Sequence, residues 1–160
     1  MIFGQRPNRP KMSVLSTKFT WCVSLLRFIH HIILSVVVLI DTMLVQNDFL
    51  LSFWNRDYTA AEKYSHLAAR IPTSQMPQVL LIYHLFFGGL VAFHLYRTQG
   101  GEERLNDGVK ALDRVAQWSE ISPSVFESKC LLLKAEHSAS SSQHSDAEKL
   151  YLKSIEVAFD

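Results

Sequence analysis

Apolar residues recur along most of this chain at the three- and four-residue spacing of an α-helix, and no long run alternates apolar with polar residues. Six helical stretches follow from that pattern. The first covers 28–54, preceded by a turn or more from Val14, and the third begins at Ser74 with Pro77 in its first turn. The second is TAAEKYSHLAARI, the fourth EERLNDGVKALDRVAQWSEI, the fifth SVFESKCLLLKAEHSA and the sixth AEKLYLKSIEVAF. The sequence therefore predicts an all-α fold.

Residues that stop or cap helices stand between these stretches. Asp57 precedes the second helix, Gly100 and Gly101 separate the third from the fourth, and Ser122 and Pro123 precede the fifth. The low-complexity run SASSSQHS, residues 138–145, predicts a solvated loop before the last helix.

One short pattern recurs in the second, fourth and sixth predicted helices. AEKYSHLA starts at Ala61, GVKALDRV at Gly108 and AEKLYLKS at Ala147, at offsets of 47 and 39 residues. Each has a small residue at its head, which lets two antiparallel helices approach closely. Helix pairs at such a period are typical of an α-solenoid. We therefore expect three antiparallel helix pairs stacked as a short α-solenoid.

Helical spacing also predicts which side chains face the core. On the sixth helix these are Ala147, Tyr151, Ser154, Ile155 and Ala158. For the fold as a whole we expect six buried residues, one of which is again Tyr151; they are Leu90, Ala92, Leu112, Phe126, Leu132 and Tyr151.

Three stretches occur in a fixed order through the second half: FFGGLVAFHLYR (86–97), WSEISPSVFESKCLLLKAE (118–136) and DAEKLYLKSIEVA (146–158). This order resembles the TPR-like helical region of large multidomain signalling proteins. Those proteins combine a protein-kinase-like domain, an AAA-type ATPase, this helical region, a GAF sensor and a histidine kinase. The resemblance covers about residues 44–159. The matching positions are Phe86, Phe87, Gly89, Leu90, Ala92, Trp118, Pro123, Phe126, Leu132, Ala135, Glu136, Ala147, Tyr151, Ser154 and Ile155.

The resemblance implies a packing module without the catalytic parts of that family. The chain contains no Gly-rich phosphate loop, no histidine phosphoacceptor motif and no kinase catalytic loop. We therefore expect a non-enzymatic, TPR-like protein-interaction module in signal transduction, with no cofactor and no ATP binding. Its domain would be 28–160, after a basic, Ser/Thr-rich segment, 1–27, that is flexible or serves targeting.

Two stretches are apolar enough to suggest another class, a small membrane protein with spans at about 28–50 and 76–96. In the second stretch, His84, His94 and the adjacent Gly88 and Gly89 fit poorly in lipid and fit well against a neighbouring helix. That favours a buried repeat helix. The first stretch carries Asp41, which would cost about 3 kcal/mol at a bilayer centre. We expect a cytoplasmic protein, with a membrane location as the alternative.

The residues before Asp41 are basic and acid-poor. Arg6, Arg9, Lys11, Lys18 and Arg27 all precede this first acidic residue, and an apolar run follows them. That order is typical of a targeting segment or signal anchor, although no A-x-A-like cleavage site follows the apolar run.

Composition narrows the remaining classes. The 160 residues carry a net charge of +1, with 48% hydrophobic and 19% charged residues, which argues against disorder and against nucleic-acid binding through bulk charge. Cys22 and Cys130 lie far apart, so we expect small buried side chains rather than a disulfide or zinc site. The histidines lack metal-ligand spacing: His30 and His31 point to different helix faces, and His84 and His94 are ten residues apart. We nominate no catalytic, cofactor-binding or metal-binding residue.

Three weaker patterns have ordinary structural explanations. Glu136 and His137 could form an acid–base cluster with Asp113 and Arg114, but capping and surface pairing are commoner. Aromatic residues that could stack on a ligand are more often core; these are Trp54, Trp118 and Tyr151. The serines of the low-complexity run could accept phosphate, which would add charge beside the last helix.

The two ends of a short solenoid would each have one uncovered side. The last helix places Ile155, Val157 and Phe159 around its circumference, and the first carries IILSVVVLI with Val37 and Ile40. Uncovered apolar surface of that size is unusual for a soluble monomer. We therefore expect the terminal helices to bind a protein partner, a second copy, the remainder of a longer protein or a membrane.

Overall fold

The computed structural model describes the backbone of residues 12–74 and 76–159 and the side chains of residues 24–74 and 76–159. Within these ranges all regular structure is helical, as the periodicity predicts. The helices are α1 (Met12–Trp54), α2 (Tyr58–Ala68), α3 (Gln78–Gln99), α4 (Glu102–Ile121), α5 (Pro123–Ser140) and α6 (His144–Phe159). Of the expected flexible or targeting segment, 1–27, residues 1–11 lie outside the described residues, and so does the side chain of Cys22.

The described residues divide into two compact units at the boundary between Ile40 and Asp41. The first unit contains the N-terminal part of α1. From residue 24 to residue 40 every side chain is exposed except that of Val38, which is half-buried. Within this part, the Ser35 hydroxyl donates to the carbonyl oxygen of His31 one turn earlier, at 2.9 Å.

The second unit contains the end of α1 and the five following helices. Here α3 packs against α2, α4 and α5, while α4 packs against α5 and α5 against α6. One buried cluster joins α3, α4 and α5 through Phe86, Phe93, Val115, Cys130 and Leu133. A second cluster joins the end of α1 to α2 and α3 through Phe49, Ala61, Val91 and Leu95. Burial of each large apolar side chain in these clusters stabilises the fold by about 1.5–3 kcal/mol.

The helix ends follow the capping chemistry of the sequence. The Asp57 carboxylate accepts the backbone N–H of Ala60 at 3.0 Å, which caps α2. Pro77 precedes the first residue of α3, and Pro123 occupies the first turn of α5, where its missing N–H costs nothing. Gly100 and Gly101 have φ angles of 76° and 104°, which glycine alone adopts readily, so these two residues turn the chain from α3 into α4.

Two expectations about the last helix are wrong. Most of the SASSSQHS run is helical rather than loop, because α5 extends to Ser140 and α6 begins at His144. The Ser140 hydroxyl donates to the carbonyl oxygen of Glu136 at 2.8 Å, which lets this serine continue the helix. On α6, Ala147 and Ser154 are buried, but Ile155 and Ala158 are exposed. Since α5 is the one described helix that packs against α6, only a narrow stripe of α6 is covered by the described residues.

The predicted core residues are covered to different degrees. Ala92 is buried, whereas the other five are only half-buried. Leu90, Leu112 and Leu132 pack on the outside of the cluster around Phe93 instead of within it. Three of the fully buried side chains, Val91, Phe93 and Leu133, lie one position along the chain from predicted core residues.

Candidate binding groove

A groove of about 400 Å³ opens between α2, α3 and α4. We call it the α2–α4 groove. Its floor consists of small residues, Gly88, Gly89 and Ala92 of α3 and Ala111 of α4. Small residues on the facing surfaces of two helices bring the backbones close together, and they also leave shallow space that side chains from a third element can fill.

The glycines of this region are required by that close approach. A Cβ atom at Gly89 would lie 2.9 Å from the Cβ of Ala111 and 2.9 Å from a methyl group of Leu133. At Gly108 of α4 a Cβ atom would lie 2.7 Å from the ring of Phe93. Gly88 is less constrained, since its nearest neighbour would be the Ser65 hydroxyl at 3.3 Å. Gly108, the small residue that begins the GVKALDRV pattern, therefore allows the close approach of α4 to α3.

An ion pair closes one side of the groove. The Arg104 guanidinium of α4 donates to both carboxylate oxygens of Glu62 on α2, from Nε at 2.6 Å and from Nη2 at 3.0 Å. Its Nη1 donates to the carbonyl oxygen of Gly100 at 3.1 Å. This two-pronged geometry fixes the pair more firmly than a single contact would. Lys110 and Asp107 form a second, exposed pair on the rim, at 3.0 Å.

The groove also contains a buried histidine. His84 of α3 is 8% exposed, and its ring lies 6.0 Å from the ring of Phe49. Burial, and then the nearby His66, lowers the pKa of His84, so its ring is neutral at physiological pH. Its Nδ1 atom has no hydrogen-bond partner among the described residues.

A separate polar cluster joins three helices of the same unit. The Glu136 carboxylate of α5 accepts from the Arg97 guanidinium of α3 and from the Tyr151 hydroxyl of α6, the latter at 2.7 Å. Burial, and then the bond to Glu136, raises the pKa of Tyr151 to about 12. We call this the Glu136 cluster. Because protein groups bind both carboxylate oxygens of Glu136, the cluster joins α5 to α3 and to α6.

The weaker candidates of the sequence lie apart from one another. Arg114 bonds to Gln117 and lies over the ring of Trp118, while Glu136 belongs to the cluster just described. Trp54 packs beside Phe53 and Phe87, and Trp118 beside Phe126. Cys130 is buried, and burial raises the pKa of its thiol.

The sequence analysis predicted neither the α2–α4 groove nor the ion pair between Glu62 and Arg104. Glu62 and Arg104 are 42 residues apart, and no local pattern links them. The small residues of the floor were the one available signal. Within the described residues no three His, Cys, Asp or Glu side chains come together as metal ligands. No family model, curated protein or solved structure matches the chain.

Proposed function

We propose that this chain is a non-catalytic, TPR-like helical module that binds a protein partner in signal transduction. The observation that carries the proposal is the order of helix packing. From α2 to α6 each helix packs against the next, and α3 also packs against α5, while α2 and α6 do not contact each other among the described residues. Such an order is expected of an open stack of antiparallel pairs, in which each helix pair touches only the neighbouring pairs.

The α2–α4 groove supports the proposal because helical repeats use concave surfaces for binding. Its floor of small residues can accept an apolar side chain, and its rim offers charges of both signs at Glu103, Asp107 and Lys110. The unpartnered Nδ1 atom of His84 could exchange a hydrogen bond with a polar group of the bound segment. A peptide segment with one inserted apolar side chain and polar flanks matches this chemistry.

A bare stripe on α6 supports a second contact. Leu152, Ile155 and Phe159 are 63%, 56% and 88% exposed and lie on one side of the helix. In a stack, this is the side on which a further helix packs. We infer that a second copy or a partner helix covers it. Changing Ile155 and Phe159 to Glu should therefore lower the apparent mass of the chain in sedimentation.

Site-specific crosslinking tests the groove. A photoreactive residue at position 110, on the groove rim, should capture one protein in cells, whereas the same residue at the exposed position 124 of α5 should not. The captured protein, once purified, should bind the wild-type chain directly. Filling the groove by Ala69→Trp should weaken that binding about tenfold, equivalent to about 1.4 kcal/mol.

Ser124→Trp is the matched control, because it places the same bulky residue at an exposed position away from the groove. It should leave the dissociation constant unchanged. Equal crosslinking from both positions, or equal binding by both tryptophan variants, would contradict the role of the groove.

A further inference from the structure

The N-terminal unit contains a long apolar stretch, residues 19–40, which we call the apolar segment. Its sequence, FTWCVSLLRFIHHIILSVVVLI, includes one charged residue, Arg27. As a helix it would extend about 33 Å at ~1.5 Å per residue, enough for a hydrocarbon core of about 30 Å. Its backbone is helical throughout, within α1.

Exposure of this segment is not confined to one face. Ile32, Ile33 and Leu34 are 47%, 58% and 55% exposed, and Val36 and Val37 are each 48% exposed. Consecutive helical residues point about 100° apart, so these side chains surround the axis. A protein groove or a second helix would cover one stripe, as it does for an amphipathic helix. Lipid covers all sides, and it is the occupant that this distribution fits.

The charged residues Arg27 and Asp41 stand at positions that a membrane span can accommodate. Asp41 lies directly after its last residue, outside the apolar stretch. Arg27 lies in the half nearer the N-terminal end, and helical side chains tilt toward that end. Its long side chain can therefore extend to the headgroup region, which reduces the cost of about 3 kcal/mol expected for an arginine at the bilayer centre.

Two observations distinguish an anchor from a cleaved signal. The hydrophobic part of a signal peptide is about 7–15 residues long and ends in a small-residue cleavage site. The residues after the apolar segment, DTMLVQNDF, contain no such site. Moreover, α1 continues without interruption to Trp54.

The charges on the two sides of the segment differ in sign. Arg6, Arg9, Lys11 and Lys18 precede it, whereas Asp41 and Asp48 follow it and the next basic residue is Arg56. The side of a span with more Lys and Arg residues stays in the cytoplasm.

We propose that residues 19–40 cross a lipid bilayer once, with the basic N-terminal side in the cytoplasm and the unit that begins at Asp41 on the opposite side. This location corresponds to the membrane alternative of the sequence analysis and differs from the cytoplasmic location expected there. Among the described residues a second helix, α3, is also long and apolar enough to span, but it packs against α2, α4 and α5, with which it would stay outside the bilayer. The span also lies nearer the N-terminus than the stretch 28–50 considered from hydropathy, because Thr42, Gln46 and Phe49 are buried in the second unit.

Glycosylation mapping in endoplasmic-reticulum microsomes tests the topology. The wild-type sequence has no Asn-x-Ser/Thr acceptor, and Gln143→Asn creates one with His144 and Ser145 in an exposed turn. Pro10→Ser creates an acceptor at Asn8, on the other side of the segment. We expect the full chain carrying Gln143→Asn to be glycosylated and to resist extraction by alkaline carbonate. The chain carrying Pro10→Ser should stay unmodified.

Gln143→Asn combined with Ser145→Ala is the matched control, since it removes the acceptor and should abolish the modification. Glycosylation of the Pro10→Ser chain instead would overturn the orientation. A carbonate-soluble chain with neither acceptor modified would overturn the span, and a shortened, glycosylated, carbonate-soluble product would identify a cleaved signal. Ile33→Glu with Val37→Glu should move at least half of the chain into the carbonate-soluble fraction; an unchanged distribution would also contradict the span.

Discussion

Two helical stretches of this chain are similarly apolar, namely the part of α1 that begins at Ser24, and α3. Their surroundings differ. Of the 18 most apolar consecutive residues in each stretch, 6% are buried in the first and 33% in the second. The difference lies in small residues. Residues 24–40 contain neither glycine nor alanine, whereas α3 contains Gly88, Gly89 and Ala92. Hydropathy therefore indicates that a helix avoids water, and small residues at helical spacing indicate that another helix covers it.

Truncating a phenylalanine in each stretch should give the largest contrast. Phe93 of α3 is fully buried, and Phe28 is 63% exposed. Phe93→Ala should lower the free energy of unfolding by about 3–5 kcal/mol, because it removes a buried ring and leaves a cavity. Phe28→Ala should change it by less than about 0.5 kcal/mol. Urea unfolding of the full chain in mild detergent, followed by circular dichroism, measures both; equal losses would remove the contrast.

The two adjacent glycines of α3 sharpen the comparison within one helix. Gly89→Ala should destabilise the second unit by about 1–3 kcal/mol, because the new methyl group would overlap Ala111 and Leu133. Gly88→Ala is the matched control. Its methyl group meets one hydroxyl at 3.3 Å, and alanine favours the helix by up to about 1 kcal/mol. Thermal unfolding should rank the two variants on opposite sides of wild type, and the reverse order would show that α3 and α4 do not approach as described.

The Glu136 cluster provides a smaller effect with a characteristic pH dependence. Tyr151→Phe should lower the free energy of unfolding by about 1.5 kcal/mol at neutral pH, since a hydrogen bond to a carboxylate is lost. In wild type this contribution is present below the unfolded pKa of about 10 and is lost as pH rises toward the folded pKa of about 12. The two chains should therefore converge in stability between pH 10 and 12.

Tyr83→Phe is the control for that measurement, because Tyr83 is a more exposed tyrosine of α3. It should leave the pH dependence of unfolding equal to that of wild type. If the gap between wild type and Tyr151→Phe stayed constant up to pH 12, the bond between Tyr151 and Glu136 would be absent in solution.

Sequence alone predicted the helices better than it predicted their faces or contacts. The fourth helix was placed at its observed bounds, Glu102–Ile121, because Gly100, Gly101 and Ser122 mark its ends. The last loop was predicted too long, because a serine that bonds back to the preceding turn can stay helical. Ile155 was predicted to face inward, but a helix with one neighbour has one covered side.

The α2–α4 groove and the Glu136 cluster could not be predicted from sequence patterns, for a different reason. Its ion pair joins Glu62 to Arg104, and the Glu136 cluster joins residues 39 and 15 positions apart. Local periodicity specifies which face of a helix is apolar. The partner of a charged side chain depends on which helices become neighbours and in what register, and that is decided by packing of the whole unit.

The Glu136 cluster also bears on how the chain folds during synthesis. Arg97 leaves the ribosome first, its carboxylate partner follows, and Tyr151 comes 54 residues after Arg97. At about 5–20 residues per second, roughly 3–11 s separate the first member from the last. During that interval α3, α4 and α5 can pack together, while the bond from Tyr151 to Glu136 and the other contacts of α6 with α5 wait for α6. The nascent chain would therefore expose the side of α5 that packs against α6 until α6 emerges, which makes this interval the period in which a chaperone would be most useful.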